Sequence, residues 1–337
     1  MRTLTCTSPG IFHFSDEPWP MAKPGYALIR ILRVGVCGTD LHGYEGTQPY
    51  FQYPRILGHE LSGEVVDPGG DDRFSIGEWV TILPYYSCGH CHACKQGKTN
   101  CCERISVCGV HEDGGMREYF QVPVTALVKS QGLGLDALAL VEPLAVAAHG
   151  IRRASIMAGE TVLIVGAGPI GIGLILFAKK AGARVIVMEK HAKRSAFCKK
   201  ELDVHAVLDP SQQNTQELIY EMTEGAMPDV VIDATGNLQA LENSFRFISH
   251  GGRYVLVGLQ KGEIRFSHPE FHKRESTLMS SRNATRKDFE NVIGSIADGT
   301  INPMSMMTHR IPFQETPSAF PALLQPDSEC IKAMIVL

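Results

Sequence analysis

The sequence predicts an α/β protein in two parts, a β-rich domain over residues 1–148 followed by a doubly wound, parallel-sheet domain over 149–282. Three observations carry this. The chain has 337 residues, more than one ordinary hydrophobic core accommodates. From Thr161 onward, short β-branched runs alternate with longer helical stretches, as a parallel sheet covered by helices on both faces requires. Before about residue 138 the pattern is different: short strands, frequent Gly and Pro, and little helical periodicity.

Taken in order, residues 26–34 and 63–66 read as strands of the first domain. In the second, Thr161–Val165 reads as a buried strand, 169–182 as a helix and Arg184–Met188 as the next strand. Further strands are predicted at Ala206–Leu208, 229–233 and 253–259, with helices near 216–223 and 238–248. A hydrophobic content of 44%, a charged content of 20% and a net charge of −4 describe a globular chain. No long Lys/Arg run supplies the electrostatic footprint of a nucleic-acid binder. No apolar run approaches the roughly 20 residues of a membrane-spanning helix. The start, Met1-Arg2-Thr3-Leu4-Thr5-Cys6, carries no apolar export segment, so a cytoplasmic, reducing setting is expected.

Two groups of metal-binding residue types lie between Cys37 and Cys102. Cys88, Cys91, Cys94 and Cys102 are spaced C-x2-C-x2-C-x7-C, a pattern able to wrap a tetrahedral zinc ion and clip a loop. An iron–sulfur cluster is the nearest rival, but the ferredoxin run closes after three residues and ends in Cys-Pro. Disulfides are the other reading. Cys101 competes with Cys102 for the fourth position, and Cys102 is preferred. The second group, Cys37 with Gly58-His59-Glu60, looks open, and an open metal can polarise a substrate oxygen.

Gly166-Ala167-Gly168-Pro169-Ile170-Gly171 falls between a predicted strand and helix. There the glycines allow a tight turn and close approach of a pyrophosphate to the helix amino terminus. Glu189 follows Gly166 by 23 residues, where a carboxylate accepts from ribose hydroxyls, favouring NAD over NADP. Lys190, His191 and Arg194 leave NADP open. The turns after residue 233 and at Gly258-Leu259 should also line a cofactor site, since ligands bind beyond the carboxyl ends of such strands.

The segments Cys37-Gly38-Thr39-Asp40-Leu41-His42 and Gly58-His59-Glu60-Leu61-Ser62-Gly63, the four-Cys lobe and Glu142-Pro143-Leu144 resemble the zinc-containing medium-chain alcohol and polyol dehydrogenases. The resemblance spans nearly the whole chain. It implies a GroES-like first domain completed by residues 283–337, a Rossmann NAD-binding domain, two zinc ions per chain, and a dimer or tetramer. It further implies that Cys37 and His59 bind the catalytic zinc, that Glu142 or Glu60 completes the set, and that Thr39 and His42 carry a proton from the substrate hydroxyl to solvent. An imidazole suits such exchange near neutral pH.

Glu142 in place of a third cysteine resembles the polyol and threonine branch. Pro84-Tyr85, Lys98–Glu103 in numbers 98–103, the run 109–115 and Ser281-Arg282-Asn283-Ala284-Thr285 resemble sugar-acid dehydrogenases. An aldonate needs a partner for its carboxylate, and a guanidinium offers a bidentate one. Arg282 is the candidate for that role or for a cofactor oxygen; His111, Tyr44 and Tyr50 are further pocket candidates. The expected activity is oxidation of a secondary alcohol of a sugar acid or polyol. Threonine or neutral polyol oxidation is the alternative within enzymes, and a non-catalytic zinc and nucleotide binder the alternative outside them.

Overall fold

The computed structural model describes residues 1–21, 23–48, 51–325 and 328–337. The chain divides into two compact units, one of Met1–Ala145 with Ala284–Leu337 and one of Val146–Asn283.

The first unit is built on a seven-stranded sheet. Its path runs Leu127–Lys129, Trp79–Ile82, Glu60–Asp67, Tyr26–Gly35, Lys332–Val336 and Met307–Pro312, and Tyr119–Pro123 also pairs with Tyr26–Gly35. The strand predicted at 63–66 therefore starts earlier, at Glu60, so that a metal-type residue opens it. Strand Tyr26–Gly35 buries Ala27, Ile29 and Ile31 in alternation while Arg30 faces solvent. Two-residue periodicity then breaks, because Ile31 pairs with Gly63 and Arg33 with Ser62, leaving Leu32 as an extra residue. This bulge shifts the parity so that Val34 also enters the core, and it sets Gly35 opposite Glu60.

The carboxyl-terminal strand Lys332–Val336 joins the same sheet antiparallel to Tyr26–Gly35, with Met334 opposite Gly35. Leu4, Ile29, Ile31, Leu61, Val80, Ile82, Phe313 and Phe320 form part of one core cluster, to which the return segment contributes both phenylalanines. Truncating either ring to Ala would cost about 3–5 kcal/mol.

The second unit holds a six-stranded, wholly parallel sheet. Its spatial order is Ala206–Leu208, Arg184–Met188, Thr161–Val165, Val230–Asp233, Arg253–Leu256, Thr277–Ser280. In chain order this is 3-2-1-4-5-6, the doubly wound arrangement in which the order reverses beside the first strand. Val162, Leu163, Ile164 and Val165 are all buried, as a strand covered on both faces demands. Two predicted elements end at least three residues early. The strand predicted to reach 259 stops at Leu256, because the Val257 and Gly258 amides both turn back to the Asp233 carbonyl. The helix predicted over 238–248 closes at Ser244 and tightens into a 3-10 turn, Phe245–Phe247.

Candidate functional site

Cys37 caps the amino end of a helix, Gly38–Glu45, that the sequence pattern did not predict. Asp40, in its first turn, is fully buried and uses both oxygens: Oδ2 accepts the Cys37 amide at 2.9 Å and Oδ1 the Gly58 amide at 3.0 Å. One carboxylate thus ties the Cys37 loop to the loop that carries His59. His59 is buried, with Nδ1 3.6 Å from Asp40 Oδ1 and no hydrogen-bond partner on that atom. Burial opposes charge on this imidazole, but Asp40 and Cys37 outweigh it and hold its pKa well above the ordinary histidine range.

Glu60 is the next residue, opening its strand with no exposed surface. Its Oε2 fills the position that a Cβ on Gly35 would occupy, so residue 35 has no room for a side chain. The same oxygen forms an ion pair with Lys332, also fully buried, whose Nζ donates to the Val36 carbonyl at 3.0 Å. Glu60 Oε1 has no hydrogen-bond partner, whereas Oε2 is satisfied by Lys332. Donor atoms of Cys37, His59 and Glu60 lie within 4.8 Å of one another. A half-buried thiol converging with a buried imidazole and a buried carboxylate, with His59 Nδ1 and Glu60 Oε1 left unsatisfied, fits a divalent cation.

Glu142 lies in the first turn of helix Val141–Ala154 and is buried. It is outside the converging group and accepts a hydrogen bond from the buried Tyr85 hydroxyl. Burial pushes its carboxyl up to about 7; Glu60 adds to this, while His59, Tyr85 and Lys332 oppose it. Glu60 is therefore the carboxylate already gathered with Cys37 and His59.

The cysteine lobe is a second cluster, with the sulfurs of Cys88, Cys91, Cys94 and Cys102 within 4.8 Å of one another. Cys101 is exposed and outside it, and all ten cysteines are free of disulfides. Amides point at the sulfurs: Cys88 N and Arg104 N each donate to Cys102 Sγ at 3.3 Å, and Cys91 N to Cys88 Sγ at 3.4 Å. Backbone hydrogen bonds bring the Cys91 thiol down to about 6, whereas burial pushes the neighbouring Cys94 thiol up to about 11.

In the second unit, Gly168 caps helix Pro169–Lys180, with Pro169 at its first position and Ile170 in its first turn. A Cβ on Gly171 would collide with the Gly166 carbonyl, so the third glycine is needed for the turn to close. A Cβ on Gly168 would meet only Arg194, 3.8 Å away, which leaves the backbone there open to a ligand. Glu189 braces the turn, accepting Ala167 N and His191 N, each at 2.7 Å. Gly258 packs its backbone against Thr235 and Gly236, while Leu259 is 64% exposed.

Thr39 is half-buried; His42 is exposed, its Nδ1 3.1 Å from Thr47 Oγ1 and 3.4 Å from Glu45 Oε2. His111 is exposed, with Nδ1 accepting the Val107 amide at 3.1 Å. Arg282 is an exposed residue of the second unit. Tyr44 corrects the pocket expectation: it is buried, its hydroxyl donates to Gly10 O at 2.8 Å, and its ring packs on Phe12 and Phe320. Tyr50 lies outside the described residues. Three site residues escaped the sequence reading. Asp40 stood in a quoted motif without a role, Tyr85 entered only through the resemblance of Pro84-Tyr85 to sugar-acid dehydrogenases, and Lys332 was a lone charge in the apolar run 331–337.

Residues 23–132 match the alcohol dehydrogenase GroES-like domain, and residues 169–298 match the zinc-binding dehydrogenase family. The chain belongs to the zinc-binding, medium-chain alcohol dehydrogenase family and is an alcohol or polyol dehydrogenase. It is 44% identical over 336 residues to an L-galactonate-5-dehydrogenase of Escherichia coli K12, covering 99% of this chain and 98% of that one. An alcohol dehydrogenase of Escherichia coli CFT073, solved with NADH, superposes with a TM-score of 0.93 at 29% identity, covering 100% of this chain and 99% of that one. A zinc-binding dehydrogenase of Sinorhizobium meliloti 1021, solved with NADP, gives 0.90 at 28%, with the same coverage. Among the described residues, no helix is long and apolar enough to cross a membrane.

Proposed function

We propose that the chain oxidises a secondary alcohol of a sugar acid, an aldonate of the galactonate type, transferring a hydride to NAD. The observation that carries this is the convergence of half-buried Cys37 with buried His59 and Glu60 on a chain that also bears the glycine turn braced by Glu189. The sugar-acid substrate is supported by the 44% identity to an L-galactonate-5-dehydrogenase.

Cys37, His59 and Glu60 hold the catalytic zinc, with Glu142 as the alternative carboxylate; the four cysteines hold a structural zinc. When bound, the catalytic ion supplies positive charge that makes a substrate hydroxyl easier to deprotonate. Asp40 fixes the two ligand loops. Thr39 receives the departing proton and His42, being exposed, exchanges it with solvent. Glu189 accepts the adenosine ribose hydroxyls, which selects NAD, and Arg282 meets a carboxylate of the substrate or a cofactor oxygen. Residues 1–148 with 283–337 act as the catalytic domain and 149–282 as the nucleotide domain, in a cytoplasmic homo-oligomer.

Following reduced cofactor with aldonates, polyols and threonine, each with NAD and NADP in parallel, tests the reading. Turnover is expected to favour the aldonate with NAD; equal turnover of sorbitol and galactonate would overturn acid recognition.

A further inference from the structure

Lys332 is the only buried lysine or arginine among the described residues, at 1% exposure. It starts a strand whose other members are apolar, and a lysine there gives up the burial that a Leu or Met would supply. Such a charge persists inside a fold only when paired. Its partners are both at the metal cluster: the carbonyl of Val36, which precedes Cys37, and the carboxylate of Glu60. Pairing of Met334 with Gly35 places Lys332 there, and the Val36 amide returns a bond to the Ala333 carbonyl at 3.0 Å. On its other side Glu60 is confined by the backbone of Gly35.

We propose that Lys332 is a positioning residue that holds the Glu60 carboxylate in the metal set, so that retention of the open-site metal depends on the carboxyl-terminal strand. The inference rests on the reading of Cys37, His59 and Glu60 as a metal site. Two effects oppose each other. The ammonium repels a nearby cation, and it fixes the carboxylate that binds the cation. Direct contact with Glu60 makes the second the stronger, because a ligand without its supporting partner binds about 10–100-fold more weakly.

The test is a double-mutant cycle on metal release from the full-length protein, using Lys332→Met, Glu60→Gln and the pair. Zinc is followed with a chromogenic chelator, and cobalt substituted into the open site reports ligand geometry through its visible spectrum. Lys332→Met should speed release from the open site about 10-fold or more and alter the cobalt spectrum. In the Glu60→Gln background the same change should add less than about 2-fold, as expected when one residue acts through the other. The cysteine-bound zinc serves as the control for folding and should stay. An unchanged or slower release in Lys332→Met, or an equal acceleration in both backgrounds, would overturn the role of Lys332 alone. Wild-type protein that holds only the cysteine-bound zinc would overturn the metal reading itself, and this inference with it.

Discussion

Asp40 Oδ1 accepts the Gly58 amide at 3.0 Å, joining two loops that lie 18 residues apart in the chain. Because the other oxygen binds the Cys37 amide, this carboxylate fixes the Cys37 loop against the loop that carries His59. Asp40→Asn keeps one acceptor and loses the other. Its open-site metal affinity should fall about 10–100-fold, measured by competition with a chelator, while the cysteine lobe keeps its zinc. Unchanged affinity would show that the loops hold their spacing without it.

Gly171→Ala should destabilise the second unit by about 1–3 kcal/mol, because the added Cβ forces the Gly166 carbonyl to move. Cofactor binding should weaken with it, measured by NADH fluorescence titration. Gly262→Ala is the matched control: nothing lies within 4 Å of its added Cβ, and both stability and binding should be unchanged.

Asp136 joins strand Tyr26–Gly35 to the return segment, accepting from Arg33 Nε at 2.7 Å and pairing with Arg310 Nη2 at 2.5 Å. Burial acts to raise its pKa, but hydrogen bonds from Arg310 and Arg33 outweigh burial and lower it from 3.8. A depressed carboxyl contributes stability that is fully present above its ordinary pKa and is lost as pH falls through the folded value. Asp136→Asn should therefore cost about 1 kcal/mol at neutral pH, discounted because Arg310 is half exposed. The gap between the wild-type and variant denaturation midpoints should hold above 3.8 and shrink below it. A gap that widens in acid would contradict this assignment.

Local features were legible and long-range ones were not. The cysteine lobe and the glycine turn are each written within fifteen residues, so spacing alone brings their chemistry together. The parallel strands were readable because burial on both faces leaves unbroken apolar runs such as 162–165. Helix Gly38–Glu45 was not, because its eight residues mix polar, apolar and glycine positions and its first turn is held by Asp40 rather than by an apolar stripe. Tyr44 was misread for a related reason. It stands two residues from His42 in the chain, yet the helix turns it into the core while His42 faces solvent. Lys332 reaches Glu60 only through pairing of the last strand with Tyr26–Gly35, which no local pattern encodes.

Cys37, His59 and Glu60 are proposed as the catalytic metal centre of this dehydrogenase. Zinc per chain should be counted before, during and after mild chelation, with NADH formation followed in the same samples. Two zinc ions should fall to one, with activity lost in step and restored by added zinc. Full activity persisting in protein that retains only the cysteine-bound ion would contradict it.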